Sequence, residues 1–371
     1  MCLPEQVSNM EPFLYSHQNR DRIIWMSQNT NTLSTTPAIQ EALNEAVRRR
    51  EYALYPYKNG LFGLPEALKE DVGAPHYDVL MANGGIEALY VITRALLRRG
   101  DEVVASDPSF LPIHHQVSLC NAKTIEMPIY SDPWKMTPER VNEAITKKTK
   151  MILLIDPINP LGTAYTGDEV RAISEIAQDN DLYLLDDITY RDFSDDHHVT
   201  SDYYPEKSIL VYSFSKNCGM AGMRIGAALA EPELMKSFVK YNVNPLSVNI
   251  LAQRAALAAL QTKDQWISGI VHICRRNQAT IKEAVERIPG VFLPVYPSYT
   301  NMFIIDIGNT GADPEKVQEK LLLEHGIFLR AGNYVSKRFG DRFVRTSFSL
   351  PEEECQKFAR AFPQVMAELS G

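Results

Sequence analysis

Ser213-Phe214-Ser215-Lys216 stands directly behind the apolar run 209–212, with a glycine-rich segment after it and Arg224 eight residues past the lysine. A lysine where a covered strand ends, in a turn of small residues, is partly stripped of water. Its amine then gives up its proton more readily and can attack a carbonyl carbon to form a Schiff base. A lysine chosen at random is a solvated surface group; the position behind a buried run sets this one apart. Other run ends offer complementary groups. Asn83-Gly84-Gly85-Ile86 follows 79–81 and opens a helical stretch, so backbone N–H groups and the helix dipole could hold a phosphate. Phe110, after 103–106, offers a flat ring, Asn159 an amide in a double-proline turn, and Asp186-Asp187-Ile188-Thr189-Tyr190 an acid and a phenol. Each has an ordinary reading alone, as core aromatic, turn residue or helix cap. Together they describe one ligand: an aromatic ring with a phosphate, a phenolic oxygen, a protonatable nitrogen and an aldehyde. Pyridoxal 5′-phosphate carries those groups.

The competing motifs are incomplete. Neither a GxGxxG behind a strand nor a GxxxxGK[ST] loop is present, which removes the usual dinucleotide and nucleotide-triphosphate cradles, and HExxH is missing. SxxK is also the nucleophile motif of penicillin-binding serine acylases, and Tyr299-Thr300-Asn301 matches their YxN element. Their KTG strand has no counterpart, which places that reading well behind.

Positioning such groups requires a sheet whose strand ends share one edge. The middle of the chain alternates apolar runs at 79–81, 103–106, 151–155, 182–185, 209–212 and 225–230 with amphipathic stretches, which predicts βαβ units over a mostly parallel sheet of about six strands, buried between helices. Thr166-Gly167-Asp168-Glu169 has capping-box spacing, and Val170, Ile173, Ile176 and Ala177 recur at helical period behind it. After about residue 262 the alternation weakens into a long helical stretch, 265–287, then a bend and a strand within PGVFLPVYPSYTNMFIIDI. This α/β pattern predicts a large cofactor-binding domain over 31–262 and a smaller α+β domain built from 263–371 with an N-terminal arm, 1–30.

Composition bounds the function. The chain has 371 residues, 45% of them hydrophobic, and a formal charge of -8, which argues against a nucleic-acid partner. No apolar stretch approaches the roughly 20 residues of a membrane helix, and the N-terminus lacks the order of a secretion signal, so a cytoplasmic protein is expected. Cys2, Cys120, Cys218, Cys274 and Cys355 are dispersed and form no CxxC pair, so reduced, buried thiols and no metal site are expected.

Four segments in order, NTNTLSTTP (29–37), DPINPLG (156–162), DITYRDF (187–193) and SFSKNCGMAGMRIG (213–226), together with Arg345, resemble the class I and II aminotransferases, fold-type I enzymes that use pyridoxal phosphate. The first resembles the histidinol-phosphate aminotransferase branch. The resemblance implies that Lys216 carries the cofactor as an imine and moves the proton between substrate and cofactor. It implies that Asp187, with Asp186 beside it as an alternative, pairs with the ring nitrogen, that Asn159 and Tyr190 hydrogen-bond the phenolic oxygen, and that Phe110 stacks on the ring. Gly85, Ile86, Ser213 and Arg224 would hold the phosphate, and Tyr55, with Tyr57 competing, would reach the phosphate of a neighbouring subunit in a homodimer. Arg345 would grip the substrate carboxylate, with Asn159 and Asn31 also on the substrate side. The implied reaction is amino transfer from an L-amino acid to a 2-oxo acid. The same groups also serve lyases, decarboxylases, racemases and capreomycidine-forming cyclases. A non-catalytic ligand sensor would need an attached DNA-binding domain, for which the segment before 29 is too short. Asp156, Leu161 and Thr189 depart from the family's asparagine, threonine and hydrophobic residue.

Overall fold

The computed structural model describes residues 11–33 and 35–370, so Cys2 lies outside the described residues. In chain order the strands are β1 (Ile24–Trp25), β2 (Asp78–Ala82), β3 (Glu102–Asp107), β4 (Lys123–Pro128), β5 (Thr149–Ile155), β6 (Tyr183–Asp187), β7 (Ser208–Ser213), β8 (Gly226–Ala230), β9 (Met302–Asp306), β10 (Ile327–Phe328), β11 (Arg330–Ala331) and β12 (Phe343–Ser347). Seven of them form one sheet in the order β2-β8-β7-β6-β5-β3-β4. The pairs β3–β4, β3–β5, β5–β6 and β6–β7 are parallel, and β8 runs antiparallel to both of its neighbours. Because β8 alone is reversed, β2 and the five parallel strands all end at the same edge.

All six apolar runs predicted as strands of the parallel sheet lie in it, and the strand predicted within PGVFLPVYPSYTNMFIIDI is β9. The strand that apolar content does not reveal is β4, Lys-Thr-Ile-Glu-Met-Pro, at the sheet's edge and only partly covered. An edge strand needs one apolar face at most, so its sequence carries no continuous apolar signal. The interior strands show the opposite. Leu184, Leu185, Ile209, Leu210 and Val211 are wholly buried, each side chain contributing about 1.5–3 kcal/mol from burial. The predicted capping box closes on the helix Gly167–Asp179: Glu169 N–H donates to Thr166 Oγ1 (3.3 Å), and Thr166 N–H donates to Glu169 Oε2 (2.8 Å).

The C-terminal part builds a second, antiparallel sheet, β11-β12-β9, covered by the long helices Lys263–Val285 and Glu352–Leu369. Residues 24–25 pair with 327–328, which ties the N-terminal segment to this part of the molecule. Cys120, Cys218, Cys274 and Cys355 are free and buried.

Candidate active site

The strand ends surround one cavity of about 310 Å³, lined among others by Gly85, Ile86, Phe110, Asn159, Asp187, Tyr190, Ser213, Lys216, Arg224 and Arg345. Nearly all the residues singled out in the sequence are thus brought together at the carboxyl edge of the sheet, where open α/β sheets hold ligands.

Lys216 sits in the turn behind β7, half-buried, and Nζ donates to the Gln28 carbonyl at 2.9 Å. Burial, reinforced by the charges of Arg345 and Arg224 and opposed by Asp187, lowers its pKa to about 7. Much of the population therefore carries a free, nucleophilic amine at neutral pH.

Asp187 ends β6 and lines the cavity, with 7% of its surface exposed. Its Oδ1 accepts from Thr189 N–H (3.1 Å) and Thr189 Oγ1 (2.5 Å). Burial raises its pKa, while the Thr189 bonds and Lys216 oppose the rise. Consecutive strand residues face opposite sides of a sheet, which separates the two adjacent acids. Asp186 is wholly buried outside the cavity lining, where its Oδ2 accepts from Thr200 N–H at 3.1 Å.

Tyr190 is buried, and its hydroxyl accepts from Asn29 Nδ2 at 3.0 Å. Arg345, central in the second sheet on β12, enters from the opposite side. Nη2 donates to the Ser27 carbonyl (2.7 Å) and Nη1 to Asn159 Oδ1 (3.3 Å), while the buried Nε has no partner. Burial lowers its pKa to about 10.

At the far end, the helix Gly85–Leu96 starts behind Gly84, which has φ +84° and no side chain to cap the first turn; Glu87 N–H donates to the Gly84 carbonyl (3.2 Å), which leaves Gly85 and Ile86 N–H for a ligand. Glycine is required here: a Cβ on Gly84 would lie 2.5 Å from Arg224 Nη2, and one on Gly226 2.6 Å from the Gly85 nitrogen. Two missing side chains thus let an arginine close on a helix N-terminus beside the Ser213 hydroxyl, an arrangement suited to a phosphate dianion. A free amine, a carboxylate, an aromatic plate, a phosphate cradle and an unsatisfied guanidinium fit pyridoxal phosphate joined to an amino acid.

Some expectations move. Asn31 does not line the cavity: its Nδ2 donates to the Asn217 carbonyl (2.8 Å) and its Oδ1 accepts from Leu33 N–H (2.9 Å), so it clamps the chain beside the Lys216 turn. Its neighbours Gln28, Asn29 and Thr30 line the cavity instead. Tyr55 is 84% exposed and Tyr57 stacks on Phe62 at 5.4 Å; neither lines the cavity of its own chain. Asp156 is buried behind the edge, its Oδ1 accepting from Tyr165 N–H (3.1 Å), with His197 Nε2 3.4 Å from Oδ2. Asn301 of the YxN match donates to the Asn29 carbonyl (2.9 Å) and Ser349 Oγ (2.8 Å), outside the lining. Tyr334, which no motif marked, lines the cavity with its ring 5.5 Å from the Arg345 guanidinium and 4.3 Å from that of Arg330.

The family model for aminotransferase class I and II matches residues 21–362. Among relatives, the histidinol-phosphate aminotransferase of Methanosarcina mazei is 29% identical over 94% of this chain and 90% of its own. That of Brevibacillus brevis is 30% identical over 84% and 82%. The fold superposes on a double mutant of Thermus thermophilus aspartate aminotransferase with a TM-score of 0.83 at 24% identity, covering 98% of this chain and 100% of that one. With the family match spanning nearly the whole chain and the strand ends gathered around one lysine, this protein belongs to the class I and II aminotransferases and is a pyridoxal-phosphate-dependent transaminase.

Proposed function

We propose that the protein transfers the amino group of an L-amino acid to a 2-oxo acid in two half-reactions at the cavity around Lys216. The observation that supports this most is that Lys216 and Asp187, at the ends of the adjacent strands β7 and β6, and Arg345, from the second sheet, line one cavity. When bound, pyridoxal phosphate supplies a covalent carrier for the amino group and a ring that absorbs the electrons released at the substrate Cα. The chain's own groups do the rest. Gly85 and Ile86 N–H, Ser213 and Arg224 would hold the phosphate, and Phe110 would support the ring. Asp187 would accept the hydrogen bond of the ring nitrogen, and Asn159 Nδ2 and the Tyr190 hydroxyl would donate to the phenolic oxygen. Arg345 fixes the substrate carboxylate with paired N–H bonds, for which its partnerless Nε is ready. Lys216 Nζ would take the proton from the substrate Cα and deliver it to the cofactor on the same face. Burial of Asn159, Asp187, Tyr190, Ser213 and Arg345 limits the access of water to the reacting groups.

The reading includes a cytoplasmic homodimer, with 31–262 as the large domain and the remainder as the small one. Leu54, Tyr55, Phe62 and Val243 are 75%, 84%, 80% and 71% exposed, apolar side chains that a second copy would cover, and Tyr55 is the candidate to reach that copy's phosphate.

Mixing the holoprotein with single amino acids, without an oxo acid, tests the reaction. Transamination converts the cofactor to pyridoxamine phosphate with one equivalent of oxo acid; release of ammonia or carbon dioxide instead would assign the lyase or decarboxylase alternative.

A further inference from the structure

Thr189 departs from the hydrophobic residue of the family pattern, and its hydroxyl is bonded to the carboxylate that faces the cavity. Its N–H and Oγ1 both reach Asp187 Oδ1, at 3.1 and 2.5 Å, and Thr189 itself lines the cavity with Asp187 and Lys216. The N–H bond belongs to a common turn and would form with almost any residue at 189. The hydroxyl bond is what threonine adds. With both donors on Oδ1, no hydrogen bond from the described residues reaches Oδ2, although Asp187 keeps 7% exposure at the cavity.

Asp187 needs such help. It is a buried carboxylate whose nearby cation, Lys216, holds its proton only part of the time at neutral pH. A charge-assisted hydrogen bond from a hydroxyl stabilises the ionised form and, because χ1 of threonine is stiff, also fixes the rotation of the carboxylate.

On the reading of this cavity as the cofactor site, we propose that Thr189 is a positioning residue: its hydroxyl fixes Oδ1 of Asp187 so that Oδ2 is left, ionised and oriented, for the ring nitrogen of pyridoxal phosphate. Without the hydroxyl the carboxylate turns and takes up a proton, and the ring nitrogen loses its anionic partner.

The test compares T189V, which keeps shape and removes the donor, with T189S, which keeps the donor, as holoproteins carrying pyridoxal phosphate labelled with nitrogen-15 in the ring. T189A replaces T189V if the valine disturbs folding. In T189V the ring nitrogen signal is expected to move toward the unprotonated position, with kcat reduced about 10- to 100-fold and KM for the amino acid within about threefold. T189S should restore signal and kcat to within about threefold of wild type. A wild-type ring signal in T189V, or equal loss of kcat in T189V and T189S without a signal change, overturns the inference and leaves only a packing role. Failure of the wild-type protein to take up the labelled cofactor overturns the reading of the site itself.

Discussion

Two sets of buried charges lie close together in this molecule and are finished differently. Behind the Lys216 turn, Lys263 Nζ sits 2.6 Å from Asp71 Oδ1 and 2.7 Å from Asp192 Oδ1, Arg191 Nη2 donates to the Asp71 carbonyl (2.7 Å), and Asn217 Nδ2 donates to Asp192. Burial pushes the Asp192 pKa up, but Lys263 and Arg191 outweigh it and hold the acid below its ordinary value. Inside the cavity the same kinds of group are left incomplete. Among the described residues Lys216 donates only to a carbonyl, Arg345 Nε has no partner, and Asp187 Oδ2 accepts no hydrogen bond. A closed network ties elements together, whereas an open one holds charges that a ligand has to complete. Substitutions should therefore lower stability in the first region and chemistry in the second.

The largest expected effect is on Lys216. K216A should lose the pyridoxyl label that borohydride reduction fixes on the wild-type protein, with activity reduced by at least about 10²- to 10⁴-fold. Its stability should move the other way. The folded-state pKa of about 7 lies below the ordinary 10.5, so between these values the unfolded chain binds more protons, and this group makes the cofactor-free protein more stable as pH rises from about 7. K216M should abolish that rise in urea titrations of the cofactor-free protein. A slope unchanged in K216M would show that it arises from other groups and that Lys216 keeps an ordinary pKa in the folded protein, and the contrast between the regions would fail.

Next in size is the closed network. K263M leaves two carboxylates, only 12% and 7% exposed, with Arg191 at 3.4 and 3.7 Å as their remaining cation, and should lower the unfolding free energy by up to about 3–5 kcal/mol. The cofactor absorbance of the protein that remains folded should match wild type. A stable K263M that cannot hold the cofactor would move Lys263 from scaffold to site.

The same contrast explains what the sequence revealed. Lys216, Asp187, Asn159 and Arg224 stand at the ends of buried runs, where burial and short turns leave a distinctive pattern of types and spacing. Lys263 and Asp71 gave no such signal, because their pairing joins helices that start and end 192 residues apart, and an amphipathic helix tolerates a charged residue at many positions. Tyr334 was hidden for the same reason, lying in a loop whose approach to Arg345 depends on how β12 pairs with β11. Asn31 was misplaced by one turn of the chain: its segment does reach the cavity, but through Gln28, Asn29 and Thr30, and an extended segment cannot present every side chain to one side.

Arg345 sharpens the comparison at intermediate size. R345K keeps the charge but cannot keep the planar pair of donors, so KM for amino acid and oxo acid should rise about 10- to 100-fold while the unfolding midpoint stays near wild type. An equally large loss of stability would mean that the bonds to Ser27 and Asn159 matter more than the open Nε, and that Arg345 belongs with the closed set.

The smallest effect on chemistry is expected one residue from one of the largest. Asp186 and Asp187 are adjacent on β6, but only Asp187 lines the cavity, and the Asp186 oxygen Oδ1 has no partner in the core. Burial, partly offset by the Thr200 bonds, raises the Asp186 pKa to about 7 against an ordinary 3.8. Between those values the folded protein holds the proton that the unfolded chain has lost, so this group makes stability fall as pH rises from about 4 to 7. D186N carries no such proton and can still accept from Thr200 N–H, so it should flatten that fall while leaving kcat within about threefold, under 1 kcal/mol of barrier. D187N should instead lose the anionic partner of the ring nitrogen and most of its kcat. If the two variants lose activity equally, the alternation of faces along β6 is not what separates scaffold from site.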